Sequence, residues 1–264
     1  MKQAFGVALL ASAFHIAIGG NHTDSNSHSL IPSARIVKGQ AVASKVNYRF
    51  VVALVIDGTH VCTATAITYN HTLTAAHCFD TEPPFNTVFI YGGSIDQSKG
   101  GIRYPIGGYF LHPNYSRSEL NYNAAIVRLR GSFAGNRLIK SIALQKSEIK
   151  FYPFRINWCY TAGWGSTDGD SGVKPERLQI GLWQLRAPSY CKRQWGDNHI
   201  TLEMLCAQFA YEDICDGDAG APLVCNGRLT GVASWSNLAC TGAKPAVFTQ
   251  VTAILSFIEQ HTTL

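Results

Sequence analysis

An all-β protein, a barrel or a sandwich with one helix at its C-terminal end, is the fold class predicted by the sequence. Three observations predict it. Short β-branched and aromatic runs recur between Gly, Pro, Asn and Asp residues, which bound strands rather than helices. The tetrapeptide Cys225-Asn226-Gly227-Arg228 is a hairpin signal, because Asn-Gly suits the positive φ angles of a type I′ turn. Helical spacing occurs convincingly only near the end, where Val251, Ile254, Leu255 and Ile258 fall at i, i+3, i+4 and i+7.

Taken in order, the chain opens with Lys2 and an apolar run over 4–18, followed by the small residues Ala17-Ile18-Gly19. That pattern predicts a secretory signal peptide over 1–19, too short for a good membrane span. Residues 20–35 are polar, rich in Ser, His and Asn, and predict a pro-segment ending in Ser33-Ala34-Arg35. The β-type runs follow at 50–56, 60–67, 87–91, 125–129, 178–185 and 223–235. Sequons at Asn21, Asn70 and Asn114 fit passage through a secretory pathway and a glycoprotein.

Composition excludes several classes. The formal charge of +5 is modest and spread out, and Cys191-Lys192-Arg193 is a solvated loop rather than a nucleic-acid patch. No segment after the leader reaches the length of a membrane span, so no membrane partner is expected. Eight cysteines in an exported chain imply an oxidising compartment and four disulfides, with 105 possible pairings. No Cys/His spacing fits zinc, and no acidic calcium loop stands around residues 91–101. The expectation is no metal and no cofactor.

Two motifs carry a resemblance. Cys215-Asp216-Gly217-Asp218-Ala219-Gly220-Ala221-Pro222 is similar to the nucleophile loop of serine proteases, with alanine in place of the serine. Leu73-Thr74-Ala75-Ala76-His77-Cys78 is similar to their Thr-Ala-Ala-His-Cys motif. With Gly163-Trp164-Gly165, Ser234-Trp235 and the Arg35/Ile36-Val37 junction, the chain resembles the chymotrypsin/trypsin family over about residues 35–262. The resemblance implies two antiparallel six-stranded β-barrels over about 36–143 and 144–250 within a domain at 36–264, followed by the helix. It also implies the disulfides Cys62–Cys78, Cys159–Cys225, Cys191–Cys206 and Cys215–Cys240.

The same resemblance assigns site residues. His77 matches the general base, while Asn123, in Asn123-Ala124-Ala125-Ile126, stands where the family has its aspartate. Glu119 is a poor substitute. Ala219 has no hydroxyl to deprotonate. Gly217 and Ala219 are expected to form an oxyanion hole, which needs only backbone N–H groups. Asp218 matches the partner of the amino group that cleavage after Arg35 frees on Ile36. Asp213 matches the floor of the primary specificity pocket, and Ser236 and Ala246, each replacing a glycine, are expected to narrow it.

On these grounds the sequence predicts a secreted serine protease homologue that is not an enzyme. It would act as a monomeric binding or regulatory cofactor of protease cascades, its partners being active proteases, their inhibitors or their substrates. The alternative is a weak hydrolase using His77 and the oxyanion hole. A carbohydrate-binding module has little support in the residues.

Overall fold

The computed structural model describes residues 39–152, 156–167, 169, 172–210 and 212–262. The signal peptide, the pro-segment, Asn21, Arg35 and Ile36 lie outside the described residues. The first strand, β1 (Gln40–Ala41), is followed by β2 (Val51–Ile56), β3 (Thr59–Ala66) and β4 (His71–Thr74). Then come β5 (Val88–Gly92), β6 (Ile102–Leu111) and β7 (Ala125–Leu129). Strands β2 to β7 close into an antiparallel six-stranded barrel in the order β2-β3-β4-β7-β6-β5.

Strand β2 shows why its sequence is an unbroken apolar run. Side chains alternate between faces along a strand. Val52, Leu54 and Ile56 enter the barrel core with Ala64, Ile90 and Val127. Val51, Ala53 and Val55 pack on the other side against Trp164 and Leu178. Both faces are buried, so neither tolerates polar residues.

The second half contains β8 (Trp158–Gly163), β9 (Gln179–Arg186) and the helix α1 (Pro188–Trp195). After them come β10 (Met204–Ala207), β11 (Pro222–Cys225), β12 (Arg228–Trp235) and β13 (Ala246–Gln250). The order β9-β10-β13-β12-β11-β8 closes through the β8–β9 pair, making a second six-stranded barrel, with β1 added at the edge of β9. Trp183, Leu205, Leu223 and Phe248 fill its core. The β11–β12 turn has Asn226 at φ 52° and Gly227 at φ 73°, the conformation expected of this dipeptide.

A 3-10 turn, Val251–Ile254, leads into the C-terminal helix α2 (Leu255–Thr262). Val251, Ile254 and Ile258 are fully buried against Leu73 and Ile126 of the first barrel. No helix of the described residues is long and apolar enough to cross a membrane. Four disulfides are present: Cys62–Cys78, Cys159–Cys225, Cys191–Cys206 and Cys215–Cys240. Each closes a loop and stabilises by roughly 2–4 kcal/mol, in large part by restricting the unfolded chain. They fit an extracellular protein.

Candidate functional site

A cleft of about 730 Å³ is lined by residues of both barrels, among them Val61, His77, Ala219, Trp235, Ser236 and Leu238. His77 stands on a short 3-10 turn, Ala76–Phe79, directly after β4. The Cys62–Cys78 disulfide holds that turn to β3. Asn123 precedes β7, the neighbour of β4, and is fully buried. Strand pairing therefore brings these two residues together from 46 positions apart.

The amide of Asn123 has one orientation. Its Oδ1 accepts from the backbone N–H of His77 at 3.0 Å. That backbone group can only donate, so the other end of the amide is the NH₂. This Nδ2 lies 2.8 Å from Nδ1 of His77 and donates to Ser234 Oγ, also at 2.8 Å. A donor facing Nδ1 makes Nδ1 the acceptor and puts the proton of the neutral ring on Nε2. Burial holds the His77 imidazole below the ordinary histidine range, opposed by the nearby Asp80 carboxylate. His77 thus presents a donor, Nε2–H, for which no partner stands among the described residues.

The loop carrying Ala219 is pinned by its carbonyls. Thr63 Oγ1 donates to the Gly217 carbonyl at 3.0 Å, and Thr63 N–H to that of Ala219 at 2.9 Å. Ser166 N–H donates to the Asp216 carbonyl at 2.7 Å. Gly217 sits at φ 93°, which only glycine adopts freely. Gly220 is required twice: its φ is 81°, and a Cβ there would lie 2.1 Å from the Thr63 carbonyl. The N–H groups of Gly217 and Ala219 meet no acceptor among the described residues. Ala219 itself is half-buried and contributes a methyl group to the cleft.

Asp218 is fully buried and accepts from the N–H groups of Gly165 at 2.8 Å and Cys215 at 3.2 Å. Burial pushes its carboxyl up to about 7, against the pull of those two bonds. Gly165 is needed beside it, since a Cβ there would fall 2.2 Å from the Asp218 Cγ.

Asp213 is also fully buried and is absent from the cleft lining. Its Oδ1 accepts from Ser236 Oγ and from its own neighbour Ile214 N–H, and its Oδ2 from Gly242 N–H at 2.9 Å. Burial raises this carboxyl to about 6, and the three bonds oppose the rise. Ser236 lines the cleft above it, whereas Ala246 is buried at the start of β13.

Several residues at the site carried no sequence signal. Asp80 follows His77 by three positions and is held by Arg117 at 2.9 Å and Tyr115 at 3.1 Å. Lys174 Nζ reaches Asp216 at 3.0 Å and the His60 carbonyl at 3.1 Å, tying one cleft wall to β3. Glu119 is exposed. Cys62, His77 and Cys78 approach within 4.8 Å of one another, but both sulfurs belong to the disulfide and leave a single ring nitrogen as ligand.

This double barrel, with His77 and the Gly217–Gly220 loop facing one cleft between them, agrees with the comparisons. The family model described as Trypsin matches residues 36–258. This chain belongs to the trypsin family. It is 29% identical to trypsin delta and to trypsin gamma of Drosophila melanogaster over 254 residues, covering 95% of this chain and 96% of each relative. It is 29% identical to trypsin-4 of Rattus norvegicus over 208 residues, covering 77% of this chain and 81% of the relative. These matches correct the expectation that the protein is not an enzyme. The family is one of serine endopeptidases, its domain is present almost from end to end, and the relatives are named trypsins. The departures at Asn123 and Ala219 alter side-chain chemistry within that class and do not remove the chain from it.

Proposed function

We propose that this protein is a secreted member of the trypsin family whose main work is to hold extended polypeptide in the cleft. It would serve as a regulatory partner of active proteases, their inhibitors or their substrates. Endopeptidase turnover runs at a low residual rate: water attacks the carbonyl held by the Gly217 and Ala219 amides and gives its proton to His77 only in that ring's minor tautomer, with the lone pair at Nε2. The observation that carries this reading is the bond from Asn123 Nδ2 to His77 Nδ1 at 2.8 Å. A base for peptide hydrolysis needs its lone pair at Nε2, and here the proton sits there. In a protease with the family's triad, the corresponding Asp-to-Asn change costs about 10⁴ in turnover. Loss of the nucleophile costs about 10⁶ and does not add to it, because the groups act as a unit.

What remains still favours hydrolysis over the uncatalysed reaction. Two preorganised N–H groups stabilise an oxyanion, and such a hole leaves about 10³–10⁴ over water when triad members are removed. In the same reading Arg35–Ile36 is the processing junction, and Asp218 receives the amino group freed there. Secretion rests on the leader pattern and on the four disulfides.

The test is turnover of a peptide nitroanilide by the purified chain beside its His77→Ala variant. We expect a rate at least about 10⁴ below that of an intact triad, falling further in the variant. Turnover approaching that of an intact triad would overturn the proposal.

A further inference from the structure

Three hydrogen-bond donors without partners and no unpaired carboxylate, among the described residues, define the catalytic end of the cleft, where the Ser234 hydroxyl already accepts from Asn123 Nδ2. His77 presents Nε2–H because Asn123 Nδ2 occupies the other face of the ring. Gly217 and Ala219 add two backbone N–H groups without acceptors among the described residues, in a loop whose carbonyls are already bonded to Thr63 and Ser166. The one acidic side chain lining this end, Asp216, is ion-paired with Lys174 at 3.0 Å. Where a serine would place its Oγ, Ala219 presents only a methyl group to the cleft.

An internal peptide bond suits this arrangement poorly. It brings one carbonyl oxygen and one N–H, and the N–H would face donors. A carboxylate brings two oxygens and no hydrogen. One oxygen can take the Gly217 and Ala219 N–H groups, and the other can take His77 Nε2–H in the space beside the Ala219 methyl. Hydrogen bonds to an ionised acceptor are about twice as strong as neutral ones.

The adjoining pocket selects the residue that bears the carboxylate. Asp213 would attract a cation, yet it is sealed by the Ser236 hydroxyl and the Gly242 and Ile214 N–H groups and does not reach the cleft. Its sequence neighbour Ile214 and the indole of Trp235, next to Ser236, line the cleft in its place. We propose that the cleft is a receptor for the free C-terminal carboxylate of a polypeptide that ends in an uncharged, apolar residue. This rests on the reading that the cleft holds polypeptide, and it names the form of ligand held.

Calorimetric titration of the full chain with acetylated tetrapeptides tests it. The set ends in Phe or Arg, each as free acid and as amide. We expect the Phe acid to bind about tenfold or more tighter than the Phe amide, and tighter than the Arg acid. His77→Ala, checked for folding by its melting curve, should lose that excess for the acid. Equal affinity of acid and amide in the parent protein would overturn the carboxylate inference while leaving polypeptide binding standing. Arg acid bound as tightly as Phe acid would overturn the apolar terminus. Binding of none of the peptides would overturn both readings, and acid preference retained in His77→Ala would remove His77 from the site.

Discussion

Restoring the two missing functional groups separately and together isolates what Asn123 does to His77. In Ala219→Ser a hydroxyl returns to the cleft, but the ring still carries its proton on Nε2, because Asn123 Nδ2 remains 2.8 Å from Nδ1. The serine then has no base. Adding Asn123→Asp replaces Nδ2 with a second acceptor, which can take Nδ1–H and the Ser234 hydroxyl, while the other oxygen keeps the His77 N–H at 3.0 Å. The ring switches tautomer, and the lone pair at Nε2 turns to the new serine. The difference between single and double variants should therefore approach about 10⁴ in acylation rate, or about 5.5 kcal/mol of barrier. Burst kinetics with p-nitrophenyl acetate would measure it, since that small acyl group makes no demand on the pocket around Asp213. A single Ala219→Ser variant acylated within about tenfold of the double would refute the tautomer argument.

Three further outcomes are expected. Ser236→Gly removes the hydroxyl that seals Asp213, so benzamidine should bind about tenfold or more tighter by fluorescence titration, and unchanged affinity would mean the seal lies elsewhere. Lys45 is a buried amine whose pKa burial lowers from 10.5 to about 7, so its desolvation penalty is full below pH 7 and fades as pH rises toward 10.5. Lys45→Met should gain most in melting temperature, relative to the parent, below pH 7 and lose that advantage between pH 7 and 10.5; a difference independent of pH would contradict this. Replacing both Cys215 and Cys240 with Ser opens a link across 25 positions and should cost about 3 kcal/mol in urea unfolding, with no loss counting against its role in stability.

The parts of the fold that were legible are those where one local rule decides. Strand β2 is apolar on both faces because both are buried, and its run at 50–56 coincides with Val51–Ile56 to within a residue. Asn226-Gly227 marked its hairpin because few other dipeptides accept two positive φ angles. Strand β6 went unseen because Pro105, Gly107 and Gly108 break its pattern, and those residues accompany a register shift between Ile106 and Gly108. Helix α1 gives a weak signal for a different reason: it is short and polar, and its apolar face is only the buried Cys191 with the half-buried Tyr190 and Trp195.

The site was legible as a set of positions and not as a network. The resemblance to the family's motifs located His77, Asn123, Ala219 and Asp213, but not the donor that fixes the His77 tautomer, nor the hydroxyl over Asp213. Ser236 was expected to narrow the pocket by bulk; the structure gives it a hydrogen bond to the carboxylate as well. Those facts depend on which atom of a side chain faces which neighbour, and strand pairing decides that between residues far apart in sequence. The expectation of a non-enzyme failed for a different reason, because two substitutions were set against a domain that is otherwise complete.

The most direct test of the central claim is the protonation of His77, read by ¹⁵N NMR of histidine-labelled protein above pH 7. We expect the proton on Nε2 and a bare Nδ1 facing Asn123, with Asn123→Asp reversing the two. A parent protein carrying the proton on Nδ1 would contradict the donor at Nε2, and with it both the slow turnover and the carboxylate receptor.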